Sequence, residues 1–440
     1  MARIFKPKAN KTKPSRQTVK IDVVDDQGIG ICLSTQPITL VKGALPEELV
    51  DIDVTNANKQ VQQGKIIRVS NPSDLRVSPF CQHYNGCGGC SLQHLSQEKG
   101  IDLKMQAFQR RLAHKYDISQ EVWHPPITSN QSYRRKVRMS VDARNPKHVK
   151  IGYRAANSNN IVDIENCPIL TPGLQPVVKN VLPVLKKLKG IKKLGHIVFL
   201  ETDNVQIVSL HCTGVLPSND VNDLIEFSDK HGSKLEISSE QEQQYSNLND
   251  KDLIVTGYQE LRLNTSTKDF LQVNPHVNQQ MLSKAMQWLA PEADDVAYDF
   301  FAGAGNFSLA LASKVNQVFA YEVSQEMAER SLVNATNNKI DNLFSQQANL
   351  DDIEDVKKIK IKPNGIVVLD PARAGANTLC QMLGRSKARK ILYISCNPSS
   401  FLRDIEHLMQ SYAVSSIGAL DMFPYTEHME LMALFERRDS

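Results

Sequence analysis

From about residue 290 onward, short apolar runs alternate with amphipathic stretches of helical length, and this alternation leaves the chain few ways to fold. The runs at 296–301, 317–323, 343–348, 365–369 and 390–395 read as strands, and 324–339 and 399–411 read as helices between them. Apolar strands joined by amphipathic helices imply a parallel sheet covered on both faces. Ligands then gather at the C-terminal ends of the strands. With 440 residues, the chain is too long for one ordinary core, so further domains are expected ahead of this one.

The first of these strands runs into Asp299-Phe300-Phe301-Ala302-Gly303-Ala304-Gly305-Asn306, a tight turn feeding a helix at 307–314. Its glycines let the backbone approach a ligand with no Cβ in the way. A dinucleotide site would want a third Gly or Ala at 308 to hold a pyrophosphate, and Ser308 stands there instead. The second strand ends in Glu322, 19 residues after Gly303, where a carboxylate can accept both hydroxyls of a ribose. A short, acidic glycine turn favours S-adenosylmethionine, whose tail is an amino acid and carries no phosphate. A structural turn in a noncatalytic α/β domain is the plain alternative.

The fourth strand delivers Asp370-Pro371-Ala372-Arg373 and the fifth Ser395-Cys396-Asn397-Pro398, while Phe423-Pro424-Tyr425-Thr426-Glu427-His428-Met429-Glu430 comes near the end of the chain. Pyrimidine C5 is a feeble nucleophile. A thiolate adding to C6 makes C5 enolate-like, and a base must later remove the C5 proton so that the thiol can leave. Cys396 and Glu430 suit those two tasks, and Asp370 could hold the base edge or the cofactor. A free thiol with a pKa of about 8.5 is little ionised near neutrality, so the pocket must help. Burial in the core is the ordinary fate of a lone cysteine; the nearby Pro398, Asp370 and Glu430 favour the reactive reading.

Upstream, residues 1–20 hold seven Lys or Arg and no acid, which suits phosphate or a solvated tail alike. Residues 17–70 read as five short strands, at 17–24, 28–33, 38–42, 49–55 and 65–69, the makings of a small barrel of a kind often used to hold nucleic acid. A helix is expected at 95–116. Tyr133 to Val141 alternates with period two, placing Arg134, Lys136 and Arg138 on one face, and the chain returns after Asn145-Pro146 as 149–154. Residues 168–260 are the least informative, with 238–252 reading as a loop. Eight cysteines are too few and too clustered for a secreted disulfide framework. Cys81, Cys87 and Cys90 followed by Cys167-Pro168 make a thiolate set of the sort that holds zinc or an iron–sulfur cluster. No apolar run approaches membrane-spanning length, and the N-terminus is charged where a signal peptide would be apolar, so a cytoplasmic protein is expected.

At these residues the chain resembles the RNA uracil-C5 methyltransferase family, over nearly its whole length. The Asp370-Pro-Ala-Arg, Ser-Cys396-Asn-Pro and Phe-Pro-x-Thr-x-His-x-Glu430 motifs together carry the resemblance. It implies Cys396 as nucleophile, Glu430 as proton-abstracting base, and Gln272, Phe301, Asn306, Glu322, Asn349 and Asp370 as the cofactor and active-site shell. It also implies a four-iron, four-sulfur cluster on Cys81, Cys87, Cys90 and Cys167, with zinc as runner-up. The chain departs from the family pattern at Ala302, where Cys is common, and at Tyr425, where His or Gln is frequent. The expected fold class is multidomain α/β: a basic arm (1–14), an OB-like, TRAM-like β-barrel (15–72), a central α+β domain with the cluster (73–260), and a Rossmann-like catalytic domain (261–440). A transfer-RNA member would lack both barrel and cysteines, so the expected partner is large-subunit ribosomal RNA, met by a monomer. A transfer-RNA uracil-C5 methyltransferase, a noncatalytic RNA-binding assembly factor and a cytosine-C5 methyltransferase are the rival readings.

Overall fold

Period-two burial organises the N-terminal region in the computed structural model, which describes residues 15–241, 244–247, 252–363 and 365–438; the basic arm expected at 1–14 lies outside them. In Leu49–Ala57 the side chains of Val50, Ile52 and Val54 turn inward and join Val19, Ile21, Cys32, Val41 and Ala44 in one core. The sheet order is Arg16–Lys20, Leu49–Ala57, Val61–Asn71, Ile38–Val41, Gly30–Cys32, Val23–Val24. Its first and last members are separated only by Ile21 and Asp22. The Ile21 N–H donates to Glu48 O and the Asp22 N–H to Ile31 O, so the chain passes from one end of the order to the other within two residues. The single strand expected at 17–24 therefore divides into two, and the one expected at 65–69 runs twice as far, as Val61–Asn71.

The described chain divides into two compact units. One comprises the residues up to Phe80 with Cys90–Tyr116 and Tyr425–Glu427; the other holds Cys81–Gly89, Asp117–Pro424 and the residues from His428 onward. In the first, a helix at Gln97–Ala113 starts on the Ser96 side chain, which accepts from the Lys99 N–H.

The second unit contains two seven-stranded sheets. The earlier one has the order Gln244–Ser246, Lys234–Ser239, Gln206–Cys212, Leu194–Glu201, Lys136–Asp142, Lys150–Arg154, Ile161–Asp163. Val137 and Met139 face its core with helices Leu174–Lys187 and Ser218–His231, while Arg138 is exposed. Arg135 keeps the inward phase of the alternation despite its charge. It is buried, and its guanidinium donates from Nε to Gln272 O at 3.3 Å. The loop expected at 238–252 is in part strand, because Gln244, Tyr245 and Ser246 pair antiparallel with Ser238, Ile237 and Glu236.

The later sheet positions the site, and its strands are numbered here: β1 (Val296–Phe300), β2 (Gln317–Glu322), β3 (Leu343–Gln347), β4 (Ile366–Leu369), β5 (Lys390–Ser395), β6 (Tyr412–Leu420) and β7 (Glu430–Arg437). The order is β3-β2-β1-β4-β5-β7-β6, with β7 antiparallel to both β5 and β6 and the rest parallel. Helices α1 (Pro275–Leu289), α2 (Asn306–Ala312), α3 (Gln325–Asn337), α4 (Ile353–Lys358), α5 (Asn377–Leu383) and α6 (Pro398–Leu408) connect and cover them. Every residue of β1 is buried, as a strand covered on both faces requires. Strand order reverses between β1 and β4, which opens a crevice at their C-terminal ends.

Candidate active site

Three loops leave the strands at this crevice. After β1 the chain turns back on itself: Phe301, Gly303 and Gly305 all have positive φ, at 64°, 55° and 98°. The Phe301 and Ala302 N–H groups both donate to Tyr321 O, tying the turn to β2. A Cβ on Gly305 would lie 2.4 Å from Leu309 Cδ1, so position 305 is closed to larger residues. A Cβ on Gly303 would meet nothing within 4 Å and would project into open space, which is the cradle a bound group needs. Glu322 accepts the Gly303 N–H on Oε2 at 2.9 Å and the Ser324 N–H on Oε1 at 3.0 Å. Each carboxylate oxygen has a second lone pair, so Glu322 can still accept from a ribose. Glycine turn, open cradle and acidic strand end fit S-adenosylmethionine.

The other expected shell residues are placed as follows. Asn306 opens α2 with its side chain amide paired reciprocally with Asn278 of α1, at 2.9 and 3.2 Å. Gln272 is buried, its backbone carbonyl held by Arg135. Asn349 follows the edge strand β3 and is exposed; its Oδ1 accepts the Asp351 N–H, closing a local turn.

Asp370 directly follows β4, and Cys396 directly follows β5. Glu430 opens β7, whose next residue, Leu431, is paired with Ser395. Antiparallel pairing thus carries a residue 34 positions downstream back beside the thiol. All three groups resist ionisation. Burial pushes the Cys396 thiol up to about 11, with Glu430 and Asp370 adding to the shift and Arg373 opposing it. Burial, and then Asp370, raise Glu430 to about 8; burial raises Asp370 to about 7. Glu430 Oε2 is buried with no hydrogen-bond partner among the described residues. An orphaned carboxylate oxygen beside a thiol is costly unless something arrives to use it.

The loop after β4 is clamped in ways the sequence motifs do not reveal. Asp404 on α6 is fully buried; its Oδ2 accepts the Ala376 N–H at 2.6 Å and the Tyr393 hydroxyl at 2.7 Å. Arg403 donates to Ala374 O at 2.7 Å, and the Asn397 amide to Arg373 O at 3.0 Å. The segment after Cys396 thereby fixes the segment after Asp370. Its signal was an acid at a buried helical position, visible only once the face of α6 is known. Arg373 in turn reaches the His428 ring, at 3.1 Å from Nε2.

Of the thiolate set, Cys81, Cys87 and Cys167 lie in the second unit. Burial raises Cys167 to about 11, with Cys81 and Cys87 contributing, and the Gly89 N–H donates to Cys87 Sγ at 3.3 Å. The donor chemistry suits a soft metal or cluster, but among the described residues no three His, Cys, Asp or Glu side chains converge closely enough to hold a metal ion. Among those residues, too, no helix is long and apolar enough to cross a membrane.

A family model described as tRNA (Uracil-5-)-methyltransferase matches residues 96–438. The 23S rRNA (uracil(1939)-C(5))-methyltransferase RlmD of Vibrio campbellii is 35% identical over 446 residues, covering 99% of this chain and 100% of that protein. Its namesake in Shewanella halifaxensis is 35% identical over 456 residues, covering 100% of both. Among solved structures, the Pyrococcus abyssi tRNA (uracil-54, C5)-methyltransferase in complex with S-adenosyl-L-homocysteine matches with a TM-score of 0.73 at 22% identity. That match covers 95% of this chain and 100% of that one, a likeness of fold.

Asp299, at the end of β1, offers a direct check on the site's electrostatics. Burial raises it to about 7, and Asp370 and Glu322 add to the shift against the Ser308 hydroxyl that bonds it. A carboxyl raised in the folded state favours folding fully below its unfolded pKa, and that contribution is lost as pH rises through about 7. Asp299→Asn keeps an acceptor for Ser308 and removes the titration. Its stability relative to the parent should therefore improve by roughly 4 kcal/mol between pH 4 and pH 9 in urea unfolding. A difference that does not change with pH would mean that Asp299 titrates normally.

Proposed function

The chain belongs to the tRNA (uracil-5-)-methyltransferase family, and from that premise we propose that it methylates C5 of one uridine in 23S ribosomal RNA. The position would correspond to the 1939 named in its relatives. The observation that carries the chemistry is Glu430 Oε2, buried without a hydrogen-bond partner among the described residues and electrostatically coupled to Cys396. The choice of ribosomal RNA rests on identity that runs the full length of those relatives.

Cys396 Sγ adds to C6 of the uracil, its proton passing to a neighbouring carboxylate or solvent, and C5 becomes nucleophilic. Arg373 and the N-terminus of α6, which begins two residues later, favour the sulfur's negative charge. S-adenosyl-L-methionine, when bound, supplies the methyl group; Gln272, Phe301, Asn306, Glu322, Asn349 and Asp370 would hold it. Glu430 then takes the C5 proton, the C5–C6 double bond re-forms, and the C–S bond breaks to return Cys396. A carboxylate raised to about 8 is a stronger base than an ordinary one and still ionises near neutrality. The uridine must leave its stack for sulfur and methyl donor to reach the ring.

We further read residues 15–72 as a TRAM-like RNA-binding β-barrel, supported by the sheet order whose ends meet at Ile21-Asp22. Residues 1–14 are the basic arm, 73–260 the central domain and 261–440 the Rossmann-like catalytic domain. Cys81, Cys87, Cys90 and Cys167 are proposed to hold a four-iron, four-sulfur cluster, with zinc as the alternative; the setting is the cytoplasm and the enzyme a monomer.

Four outcomes are expected. Mapping methylated uridines in a strain lacking the protein should show loss of one 23S site; loss of a transfer-RNA site instead would refute the substrate. Cys396→Ala should abolish turnover and the covalent adduct with 5-fluorouridine RNA, whereas Glu430→Gln should trap a protein–RNA adduct on ordinary RNA and cut turnover by about 10²-fold or more. Rapid methylation by either variant would sink the mechanism. Anaerobically purified protein should be brown and contain iron and sulfide in equal amounts; colourless, zinc-loaded protein would replace the cluster with zinc.

A further inference from the structure

Away from the catalytic crevice, the earlier sheet of the second unit carries a concentration of positive charge. An open cavity of about 600 Å³ lies where the hairpin of Lys136–Asp142 and Lys150–Arg154 meets the start of Leu194–Glu201. It is lined by Arg144, Arg154 and Lys192, with Asp142, Ser140 and Asn159. The three cations face one carboxylate, which leaves two positive charges unbalanced.

The cations differ in how they are held. Asp142 grips Arg144 with both oxygens, at 2.9 Å from Nε and 2.7 Å from the terminal nitrogen. That grip keeps the Asp142 carboxyl down at about 2, so it stays charged at any working pH and keeps the guanidinium oriented. Arg154 and Lys192 are exposed, and neither side chain has a hydrogen bond or ion pair among the described residues. Two exposed cations that line one cavity with no counterion of their own among the described residues gain most when an anion arrives.

The backbone adds to this. Gly195 is the unpaired residue of a bulge between Leu194 and His196, opposite Gln206–Cys212, and it lines the same cavity. Bulges re-aim the chain next to binding sites. Arg154 is fixed in turn by its own carbonyl, which accepts the Gly88 N–H at 2.9 Å. On the same outward face stand the exposed Lys150 and Arg138, so the charge continues across the sheet beyond the cavity.

We propose that this cavity binds the phosphodiester backbone of the substrate RNA, as a docking site separate from the pocket that holds the reacting uridine. The proposal rests on the RNA methyltransferase reading given above. Guanidinium forks match phosphate oxygens in pairs, and a lysine adds a point charge. Asn159 and Ser140 can donate to ribose or phosphate. No aromatic ring lines the cavity on which a base could stack, so it reads backbone rather than sequence. The site anchors and orients the RNA and takes no part in the chemistry.

The test is an Arg154→Gln, Lys192→Gln double variant, which changes only exposed side chains. Its binding to a 23S rRNA fragment that the parent methylates is measured by filter retention at salt concentrations from roughly 50 to 200 mM. Loss of two phosphate contacts should reduce the steepness of log K against log salt by about 1.4 to 1.8. The KM for RNA should rise about tenfold, while kcat at saturating RNA and the affinity for S-adenosylhomocysteine stay at parent values. An unchanged salt slope and KM would overturn the site. So would a fall in kcat alone, or a phenotype confined to binding of an acidic protein. A parent that binds the fragment but methylates no uridine would defeat the functional reading, and the salt slope would still decide the site.

Discussion

Three carboxyl groups and a thiol gathered at one end of a parallel sheet, Asp299 and Glu430 buried and Asp370 and Cys396 half-buried, are the constraint on which this catalytic domain is organised. Asp299 lies near the end of β1, Asp370 and Cys396 follow β4 and β5, and Glu430 opens β7; Asp370 raises the cost of ionising the other three, and Glu430 that of Cys396. Such a cluster persists only if the surrounding structure over-determines it. The support is visible: the Ser308 hydroxyl on Asp299, the two backbone N–H groups on Glu322, and the Asp404 clamp joining the loops after β4 and β5. Removing charge from the cluster would favour the fold, so the charges are retained at a cost that only function explains.

Much of this was legible in the sequence, because the relevant signals are local. Strand β5 falls at 390–395 as the apolar run indicated, and the other four parallel strands end within a residue of expectation. Period and flanking turn residues suffice where a strand is buried on both faces. The crevice residues follow, since a parallel strand's C-terminal end is a position in the sequence. What escaped is non-local. Strands β6 and β7 are absent from the sequence reading, although β7 carries Glu430, because one continuous apolar run gives no hint of direction or partner. The Asn306–Asn278 pair likewise joins residues 28 apart through side chains that look unremarkable in either segment.

Arg135 illustrates the same limit from the opposite side. Alternation assigns it to the inward face, where a charge is out of place, and the structure buries it all the same. Its guanidinium supports the backbone of Gln272, and its N–H donates to Val273 O, so a residue just ahead of the earlier sheet's Lys136–Asp142 strand shapes the approach to the later sheet. Burial lowers its pKa, opposed by Asp203 and Glu201, yet an arginine so placed remains charged. Local pattern rules fail here because tertiary structure supplies the partner.

The thiol's raised pKa bears on which complex can react. Each unit of increase makes the thiolate about tenfold scarcer but gains only about 0.4–0.5 of a decade in nucleophilicity, so a cysteine at about 11 is a net loss near neutrality. The same cluster that disfavours the Cys396 anion disfavours those of Asp370 and Glu430. Positive charge entering the crevice therefore favours all three ionised forms together, through one Coulombic effect. Arg373 contributes part of that charge permanently, and its contact with His428 fixes where it stands. A nucleophile kept protonated until its pocket is filled is protected from oxidation and from stray electrophiles, since it is the thiolate that reacts. The buried carboxyls that burden the folded protein thus also restrain its cysteine, which explains why one cluster of acids serves both the base and the nucleophile.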